Sequence, residues 1–220
     1  MKGLVVPVPI PNAEHWSAAE LLEWTAAHHA PNVAIASSFG AEDVVLIDLA
    51  SRAGAEIRIF TLDTRVLFPE TYALIDRIET RYGVTVERSY PPADAADGLW
   101  LTDPDRCCNL RKVVPLQRKL AMLDAWVTGV RRDQAPTRAN TRKLEWDPKF
   151  GLVKVNPLAD WTSPMVWRYI YDYDVPYNPL HDRNYPSIGC THCTRAVAPG
   201  EDPRAGRWSG TEKTECGLHV

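Results

Sequence analysis

The stretch of sequence that decides the fold is NVAIASSFGAEDVVLIDLASR, residues 32–52. Its first part, residues 32–39, is a short apolar run that is typical of a buried strand. Its second part, residues 41–52, has acidic residues in the first turn and the spacing of a helix. The two parts meet at Gly40. The stretch therefore predicts a strand that leads directly into a helix.

The same alternation continues on both sides of this stretch. Ser17 and Glu20 form a capping-box pattern that predicts a helix from Ala18 to His29. Further strands are predicted in EIRIFTLDT (56–64), VTVERSY (84–90), AWVTGV (125–130) and GLVKVNPL (151–158), and further helices from Pro69 to Tyr82, from Leu110 to Leu123 and from Ser163 through MVWRYIYDY (165–173). Strands that alternate with helices predict an α/β fold with a doubly wound, mostly parallel sheet.

Composition limits the class of protein. The 220 residues are 45% hydrophobic and 24% charged, which fits one main domain over residues 1–176. From about residue 177 to residue 220 the sequence is rich in Pro, Gly, Asp and Arg and has little periodicity. This part is predicted to be a C-terminal tail of the same structural unit.

Charge and cysteine content indicate where the protein works. A net charge of −3 argues against a broad nucleic-acid or anionic-membrane surface. The first 16 residues hold an apolar run cut by three prolines, which predicts neither a signal peptide nor a membrane helix. Five cysteines in such a chain favour a reducing compartment, the cytoplasm, where cysteines bind metals or catalyse reactions.

Ligands of doubly wound sheets bind at the carboxyl ends of the strands. Four small or apolar residues follow the first strand, namely Ser37, Ser38, Phe39 and Gly40. Backbone N–H groups and the helix N-terminus can bind an anion there, although a plain strand-to-helix turn would look the same. Asp63, after the second strand, could accept hydrogen bonds from a ribose or base, or could only cap a turn with Thr64.

The cysteines give a more specific signal. Cys107 and Cys108 are adjacent, and Cys190 and Cys193 form a C-x-x-C pair further along the chain. Four thiolates from two distant pairs can hold a tetrahedral zinc ion or an iron–sulfur cluster. Adjacent cysteines point in divergent directions, which suits two corners of a cubane better than two ligands of one small ion. His192, between the second pair, is interpreted as a bystander because four cysteines complete a ligand set.

Basic residues are concentrated in the same predicted loops. They occur in three places: Arg111 and Lys112, the loop GVRRDQAPTR (129–138), and Arg204 with Arg207. Each one alone would be a solvated surface charge. Together, at the binding edge of the sheet, they favour a small polyanionic ligand.

These motifs together resemble the assimilatory sulfonucleotide reductases, specifically the adenylyl-sulfate (APS) reductases that carry a 4Fe-4S cluster. The resemblance rests on SSFGAEDVVL (37–46), LDTRVLFPETY (62–72), CCNLRK (107–112), VTGVRRDQAPTRA (127–139), NPLADWT (156–162), YNPLHDRNYPSIGCTHCTR (177–195), RAGRW (204–208) and ECGLH (215–219). These motifs run from Ser37 to His219 in the order of the family.

The resemblance implies an adenine nucleotide alpha hydrolase-like (PP-loop) fold and assigns roles to individual residues. The segment Ser37 to Asp43 would bind the phosphosulfate side of the nucleotide, and Leu62, Asp63 and Gly129 would border the adenosine. Phosphosulfate contacts are expected from Arg138, Arg204, Arg207 and His219, and cluster ligands from Cys107, Cys108, Cys190 and Cys193, with Lys112 between cluster and substrate. Residues 177–220 would then form the cluster-binding and catalytic segment.

The resemblance also implies a mechanism. Cys216, which alone would pass for a leftover surface thiol, matches the family's nucleophile. Its thiolate would attack the sulfate sulfur of APS, AMP would leave, and thioredoxin or a glutaredoxin-like reductant would release sulfite from the S-sulfonated cysteine. This chemistry belongs to assimilatory sulfate reduction and cysteine biosynthesis.

Two residues depart from the family's pattern. Arg65 stands where the family usually has Gly after LDT, and His192 replaces a small residue or Pro. Two alternatives stay open: a reductase for the 3'-phosphorylated nucleotide (PAPS) or for both nucleotides, and a metal-stapled nucleotide-binding module without turnover. A homo-oligomer is compatible with the sequence, which does not set the number of subunits.

Overall fold

A six-stranded sheet forms the centre of the computed structural model, which describes residues 10–208. Its strands are β1 (Val33–Ala36), β2 (Arg58–Leu62), β3 (Val86–Ser89), β4 (Ala125–Val127), β5 (Leu144–Asp147) and β6 (Leu152–Val155). They lie in the order β3-β2-β1-β4-β6-β5, and every neighbouring pair is parallel except β5–β6. The predicted mostly parallel sheet is confirmed, with β5 as an additional strand.

Helices cover both faces of the sheet. They are α1 (Ala18–His29), α2 (Ala41–Arg52), α3 (Pro69–Tyr82), α4 (Leu99–Thr102), α5 (Pro104–Cys108), α6 (Val114–Leu120) and α7 (Ser163–Asp172). The predicted capping box of α1 is present, since Glu20 N donates to Ser17 Oγ and Ser17 N donates to the Glu20 carboxylate. Gly83 ends α3 with φ +63°, a conformation that glycine adopts without strain.

The helix predicted from Leu110 to Leu123 is wrong at both ends. Helical structure begins at Pro104, where the Asp103 carboxylate accepts a hydrogen bond from Arg106 N, and it ends at Leu120. A π-helical segment, Asn109–Val113, joins α5 to α6. Pro115 follows this segment. Because proline has no N–H to donate, one helical hydrogen bond is already missing here, and the irregular turn before Pro115 therefore disturbs fewer hydrogen bonds than it would in a helix interior.

The side chains of β1 alternate between two apolar clusters. Val33 and Ile35 pack in the larger cluster with α1, α2 and α7. Ala34 packs on the opposite face with residues of α6 and β4, including Leu116 and Trp126. A central strand that is buried on both faces has no polar side, which explains the uninterrupted apolar run in the sequence.

The chain after α7 lies across the body of the domain. Asn178 Nδ2 donates to Thr71 Oγ1 at 3.0 Å, and Thr191 N donates to the carbonyl of Val66 at 2.9 Å. This path brings residues 177–208 to the carboxyl edge of the sheet. The predicted division of the chain at residue 177 stays a prediction. Within residues 10–208, no helix has the length and apolar character needed to cross a membrane.

Candidate active site

A cleft of about 840 Å³ opens at the carboxyl edge of the sheet. Its walls come from the loops that follow β1, β2 and β4, from the π-helical segment and from residues 181–208. Ten of the residues singled out in the sequence line it: Ser37, Ser38, Gly40, Asp43, Leu62, Lys112, Gly129, Arg138, Arg204 and Arg207. The fold thus brings together side chains from five separate motifs.

The turn between β1 and α2 is held by Asp43. Both Ser38 N and Ser38 Oγ donate to Asp43 Oδ2, at 2.6 and 2.8 Å. Burial raises the pKa of Asp43 to about 6, and the hydrogen bonds from Ser38 act in the opposite direction. Because Gly40 at the N-cap has no side chain to cap the helix, backbone N–H groups of the first turn remain available at the cleft.

Gly129 allows the loop after β4 to approach α2 closely. A Cβ atom at this position would lie 2.7 Å from Asp43 Oδ1 and 2.8 Å from Glu42 Cβ. A larger residue at this position would require either the loop or the start of α2 to move. The match of Gly129 to the family's motif therefore has a steric cause in this structure.

Two predicted binding residues have side chains outside the cleft lining. Phe39 is 1% exposed, packs in the larger apolar cluster and has φ +60°. Asp63 is also buried, and its Oδ1 accepts hydrogen bonds from Arg65 N at 2.9 Å and from Tyr72 Oη at 2.7 Å. These are the contacts of a turn-capping carboxylate, the second of the two interpretations of Asp63. Their roles as substrate contacts stay predictions.

The backbone conformation at Arg65 indicates why the family usually has glycine at this position. Its φ of +62° is a conformation that glycine adopts at little cost, which is a physical reason for the family's usual Gly. Here the exposed guanidinium lies 5.5 Å from the centre of the Tyr90 ring, a cation–π distance. The Arg65 side chain thus points across the end of β3 and is not part of the cleft lining.

The four cysteines predicted as cluster ligands line one small cavity beside the cleft, together with Arg111 and Lys112. None of the four forms a disulfide. Burial and the neighbouring thiols raise the pKa of Cys107 and of Cys193. Arg111 partly offsets the upward shift of the Cys107 pKa, and Lys112 partly offsets that of the Cys193 pKa. Four soft thiol donors with two cations beside them form a donor set that fits an iron–sulfur cluster. Among residues 10–208, no three His, Cys, Asp or Glu side chains form a site for a single metal ion.

The second departure, His192, packs against a tryptophan. The His192 ring stacks on Trp100 with centroids 3.8 Å apart and planes 2° from parallel. Both rings line the cysteine cavity. An aromatic residue in the C-x-x-C pair thus extends the apolar wall of this cavity.

Lys112 lines both the cleft and the cysteine cavity. It lies in the π-helical segment, five residues after Cys107. This ammonium group can therefore act on an anion in the cleft and on negative charge held by the thiols. The role of Lys112 between a cluster and the substrate stays a prediction.

The loop that carries Arg204 and Arg207 is attached to the C-x-x-C segment. Trp208 N donates to the carbonyl of Cys193 at 2.9 Å, and Arg207 pairs with Thr194 as an antiparallel bridge. The Arg207 guanidinium donates to Ser187 Oγ at 3.0 Å and lies 4.5 Å from the centre of the Trp208 ring. These contacts hold Arg207 at the cleft.

Several residues of the cleft lining have no individual role predicted from the sequence, among them Glu42, Arg131, Gln134 and His181. The charge of the loop GVRRDQAPTR (129–138) marks it as a basic segment, but only Gly129 and Arg138 have predicted roles in it. The predicted nucleophile Cys216 and the predicted anion contact His219 lie outside the described residues 10–208.

Comparison with known sequences identifies relatives over nearly the whole chain. A family model described as "Phosphoadenosine phosphosulfate reductase domain" matches residues 32–196. Adenosine 5'-phosphosulfate reductase of Shouchella clausii is 49% identical over 209 residues, which cover 91% of this chain and 87% of that protein. The protein of the same name from Halalkalibacterium halodurans is 47% identical, with 94% and 93% covered.

Comparison with solved structures gives the same result. Phosphoadenylyl-sulfate (PAPS) reductase from Candida auris, in a phosphate complex, superposes with a TM-score of 0.74 at 31% identity, covering 82% of this chain and 91% of that one. FMN adenylyltransferase from Candida glabrata, at 14% identity and a TM-score of 0.61, covers 90% and 72% and shares the fold alone. The predicted adenine nucleotide alpha hydrolase-like fold is confirmed. The family model matches three quarters of the chain, and the two relatives of nearly half identity cover more than nine tenths of it. The chain therefore belongs to the phosphoadenosine phosphosulfate reductase domain family of sulfonucleotide reductases.

Proposed function

We propose that this chain reduces adenosine 5'-phosphosulfate to sulfite and AMP with a thioredoxin- or glutaredoxin-like dithiol as reductant, in the assimilation of sulfate into cysteine. The observation that carries the proposal is the position of Lys112 between a basic nucleotide-sized cleft and a cavity lined by four cysteines. The choice of APS over other nucleotides is supported by the relatives at 47–49% identity, which are named for that activity.

The cleft provides the contacts that such a substrate needs. In this proposal the phosphosulfate lies among Lys112, Arg138, Arg204 and Arg207, all of which line the cleft. Guanidinium groups suit it because they bind oxyanions through two parallel N–H donors. The adenosine lies between the carboxyl ends of β2 and β4, next to Leu62 and Gly129.

Cys107, Cys108, Cys190 and Cys193 would hold a 4Fe-4S cluster, whose bound charge would act on the substrate through Lys112. The two-electron thiol route described next requires no electrons from it. Anaerobically purified protein should contain iron and acid-labile sulfide at about four each per chain. Stoichiometric zinc without labile sulfide would contradict this assignment.

The reaction is assigned to Cys216. Its Sγ attacks the sulfate sulfur, the bond between that sulfur and the phosphate oxygen breaks, and AMP leaves with the electron pair. His219, Arg204 and Arg207 neutralise the anion and favour the thiolate form of the nucleophile. A reductant thiolate then attacks Cys216 Sγ, sulfite leaves, and the second reductant thiol resolves the mixed disulfide with release of the Cys216 thiolate. The dithiol supplies both electrons.

The test measures sulfite release from APS and from PAPS in the presence of reduced thioredoxin. We expect turnover with APS and none for Cys216→Ser, whose iron content should equal that of the wild type. Wild-type protein incubated with APS and no reductant should gain about 80 Da, the mass of one sulfonate, on the peptide that contains Cys216. An adduct on another cysteine, or turnover by Cys216→Ser, would contradict the mechanism.

PAPS is the second candidate substrate, because the Candida auris structure at 31% identity is a PAPS reductase. Equal sulfite release from both nucleotides would indicate a dual reductase. Cluster content and nucleotide binding without sulfite release would indicate the binding module without turnover. A cytoplasmic location, a homo-oligomeric state and the lack of nucleic-acid and membrane partners remain predictions.

A further inference from the structure

We propose that Gln134 is a positioning residue that orients Arg138 in the cleft and is itself fixed by the ion pair between Glu42 and Arg131. The inference rests on the proposed function, because it assigns to Arg138 a contact with the substrate's phosphosulfate. Its own evidence is a chain of hydrogen bonds that runs from the N-terminal turn of α2 to the Arg138 guanidinium.

This series of hydrogen bonds begins at the half-buried carboxylate of Glu42. Glu42 Oε1 accepts hydrogen bonds from Arg131 Nε at 2.9 Å and from Arg131 Nη2 at 2.8 Å. The Arg131 side chain is only 7% exposed and that of Glu42 only 20%. An ion pair so shielded from water holds both groups in one geometry.

Gln134 continues the chain and uses both ends of its amide. Its Nε2 donates to Glu42 Oε1 at 3.0 Å, and its Oε1 accepts from Arg131 N at 3.0 Å and from Arg138 Nη1 at 2.5 Å. The donor at one end sets the orientation of the amide, so the oxygen has to face Arg138. A carboxylate at position 134 would lack the donor toward Glu42, and an apolar side chain would lack both interactions.

The local backbone makes this arrangement possible. Gln134 ends one short 3-10 helix, Arg132–Gln134, and Arg138 ends the next, Pro136–Arg138. Ala135 between them is extended, with φ −167° and ψ 152°. Two tight turns thus bring the side chains of Gln134 and Arg138, four residues apart, into hydrogen-bonding contact.

Gln134→Met tests the inference, because methionine has a similar length but can form none of the hydrogen bonds of Gln134 to Glu42, Arg131 and Arg138. We expect kcat/KM for APS to fall about tenfold, mainly through KM, as for the loss of one hydrogen bond to a charged group. Gln117 is the only other glutamine in the sequence and is exposed on α6, so Gln117→Met is the matched control and should stay within twofold of wild type.

A double-mutant cycle separates positioning from a general structural role. If Gln134 acts through Arg138, Gln134→Met in an Arg138→Ala background should change kcat/KM by less than twofold. A further tenfold loss in that background, or a Gln134→Met enzyme within twofold of wild type, would overturn the inference. A wild-type protein that releases no sulfite would contradict the proposed function instead, so the two failures are distinguishable.

Gln134→Glu gives a second readout that a merely structural role would not produce. When protonated, the new carboxyl can donate to Glu42 and accept from Arg138, but when ionised it repels Glu42. Other titratable or charged groups near it are Asp133, Asp43, Arg131, Arg138 and His181, which lies close enough to Glu42 for an electrostatic interaction. We expect the ratio of variant to wild-type kcat/KM to rise at least threefold from pH 8 to pH 6. A ratio that is independent of pH would contradict the orientation assigned to the amide.

Discussion

The backbone N–H of Trp208 donates to the carbonyl of Cys193 at 2.9 Å. This bond ties the end of the arginine-bearing loop to the second predicted cluster ligand pair. Loss of the proposed cluster is therefore expected to release the loop, because Cys190 and Cys193 would then no longer be held by a bound group. Amide hydrogen exchange over residues 194–208 should become at least tenfold faster after removal of iron with a chelator and an oxidant. Residues 41–52 of α2 serve as the internal control, and equal acceleration there would indicate general unfolding instead.

Gly129→Ala should weaken both stability and nucleotide binding. The added methyl group would lie 2.7 Å from Asp43 Oδ1 and 2.8 Å from Glu42 Cβ, so the loop or the start of α2 has to move. Overpacking of this kind costs about 1–3 kcal/mol of unfolding free energy. Gly40→Ala is the steric control for stability, since its Cβ would meet no atom closer than 3.6 Å. Urea unfolding should show the loss for Gly129→Ala and a much smaller change for Gly40→Ala.

Asp43 predicts a specific pH dependence of stability. Burial raises its folded-state pKa from 3.8 to about 6, so the folded protein binds a proton more tightly than the unfolded chain. Wild-type stability should therefore fall, relative to Asp43→Asn, as the pH rises from about 4 to about 6, and the difference should be constant above that range. The two pKa values correspond to a decrease of about 3 kcal/mol in the unfolding free energy of the wild type relative to Asp43→Asn. Urea midpoints of both proteins at pH 4, 5, 6 and 7 measure it. A difference that is flat across this range would contradict the buried, proton-binding carboxyl.

Gly189→Ala should impair catalysis more than stability. A Cβ at this position would lie 2.7 Å from Arg207 Nη2, and the far end of that flexible side chain can move aside. We expect kcat/KM for APS to fall about tenfold, as for the loss of one charge-assisted contact, while the melting temperature changes by less than about 3 °C. Arg207→Ala provides the reference for complete loss of the guanidinium. Gly189→Ala with wild-type kinetics would show that the exact direction of Arg207 is unimportant.

Local sequence signals predicted the bounds of α1, α2 and α3, because each bound depends on a few neighbouring residues, whereas the predicted strands run past the observed ones. The capping box of Ser17 and Glu20 marks the start of α1, and Pro69 and Gly83 mark the two ends of α3. The strand β5, Leu144–Asp147, was missed because four residues of mixed polarity have no clear period and pair only through β6. The π-helical segment was missed because its hydrogen-bond pattern depends on tertiary packing and not on a sequence period.

The candidate site could be predicted where strand order alone places residues together. Carboxyl ends of parallel strands share one edge, which is why Ser38, Leu62 and Gly129 all line the cleft. Side-chain direction could not be predicted in the same way, and Phe39 therefore packs in the core although its neighbours line the cleft. The network of Glu42, Arg131 and Gln134 was also inaccessible, because it joins residues about ninety positions apart through contacts that leave no spacing pattern.

The π-helical segment Asn109–Val113 sets the rotational phase between the cysteine pair and everything that follows on the same helical path. One residue in an α-helix corresponds to about 100° of rotation. In a continuous α-helix of the same length, Cys107 and Cys108 would be turned by about 100° relative to Leu116 and Leu120, which anchor α6 in the core, because the wider π-helical turn takes up one residue without adding its rotation. The segment thus absorbs one residue, and a chain that lacks that residue and continues as a plain α-helix would keep its cysteines on the same side of the helix.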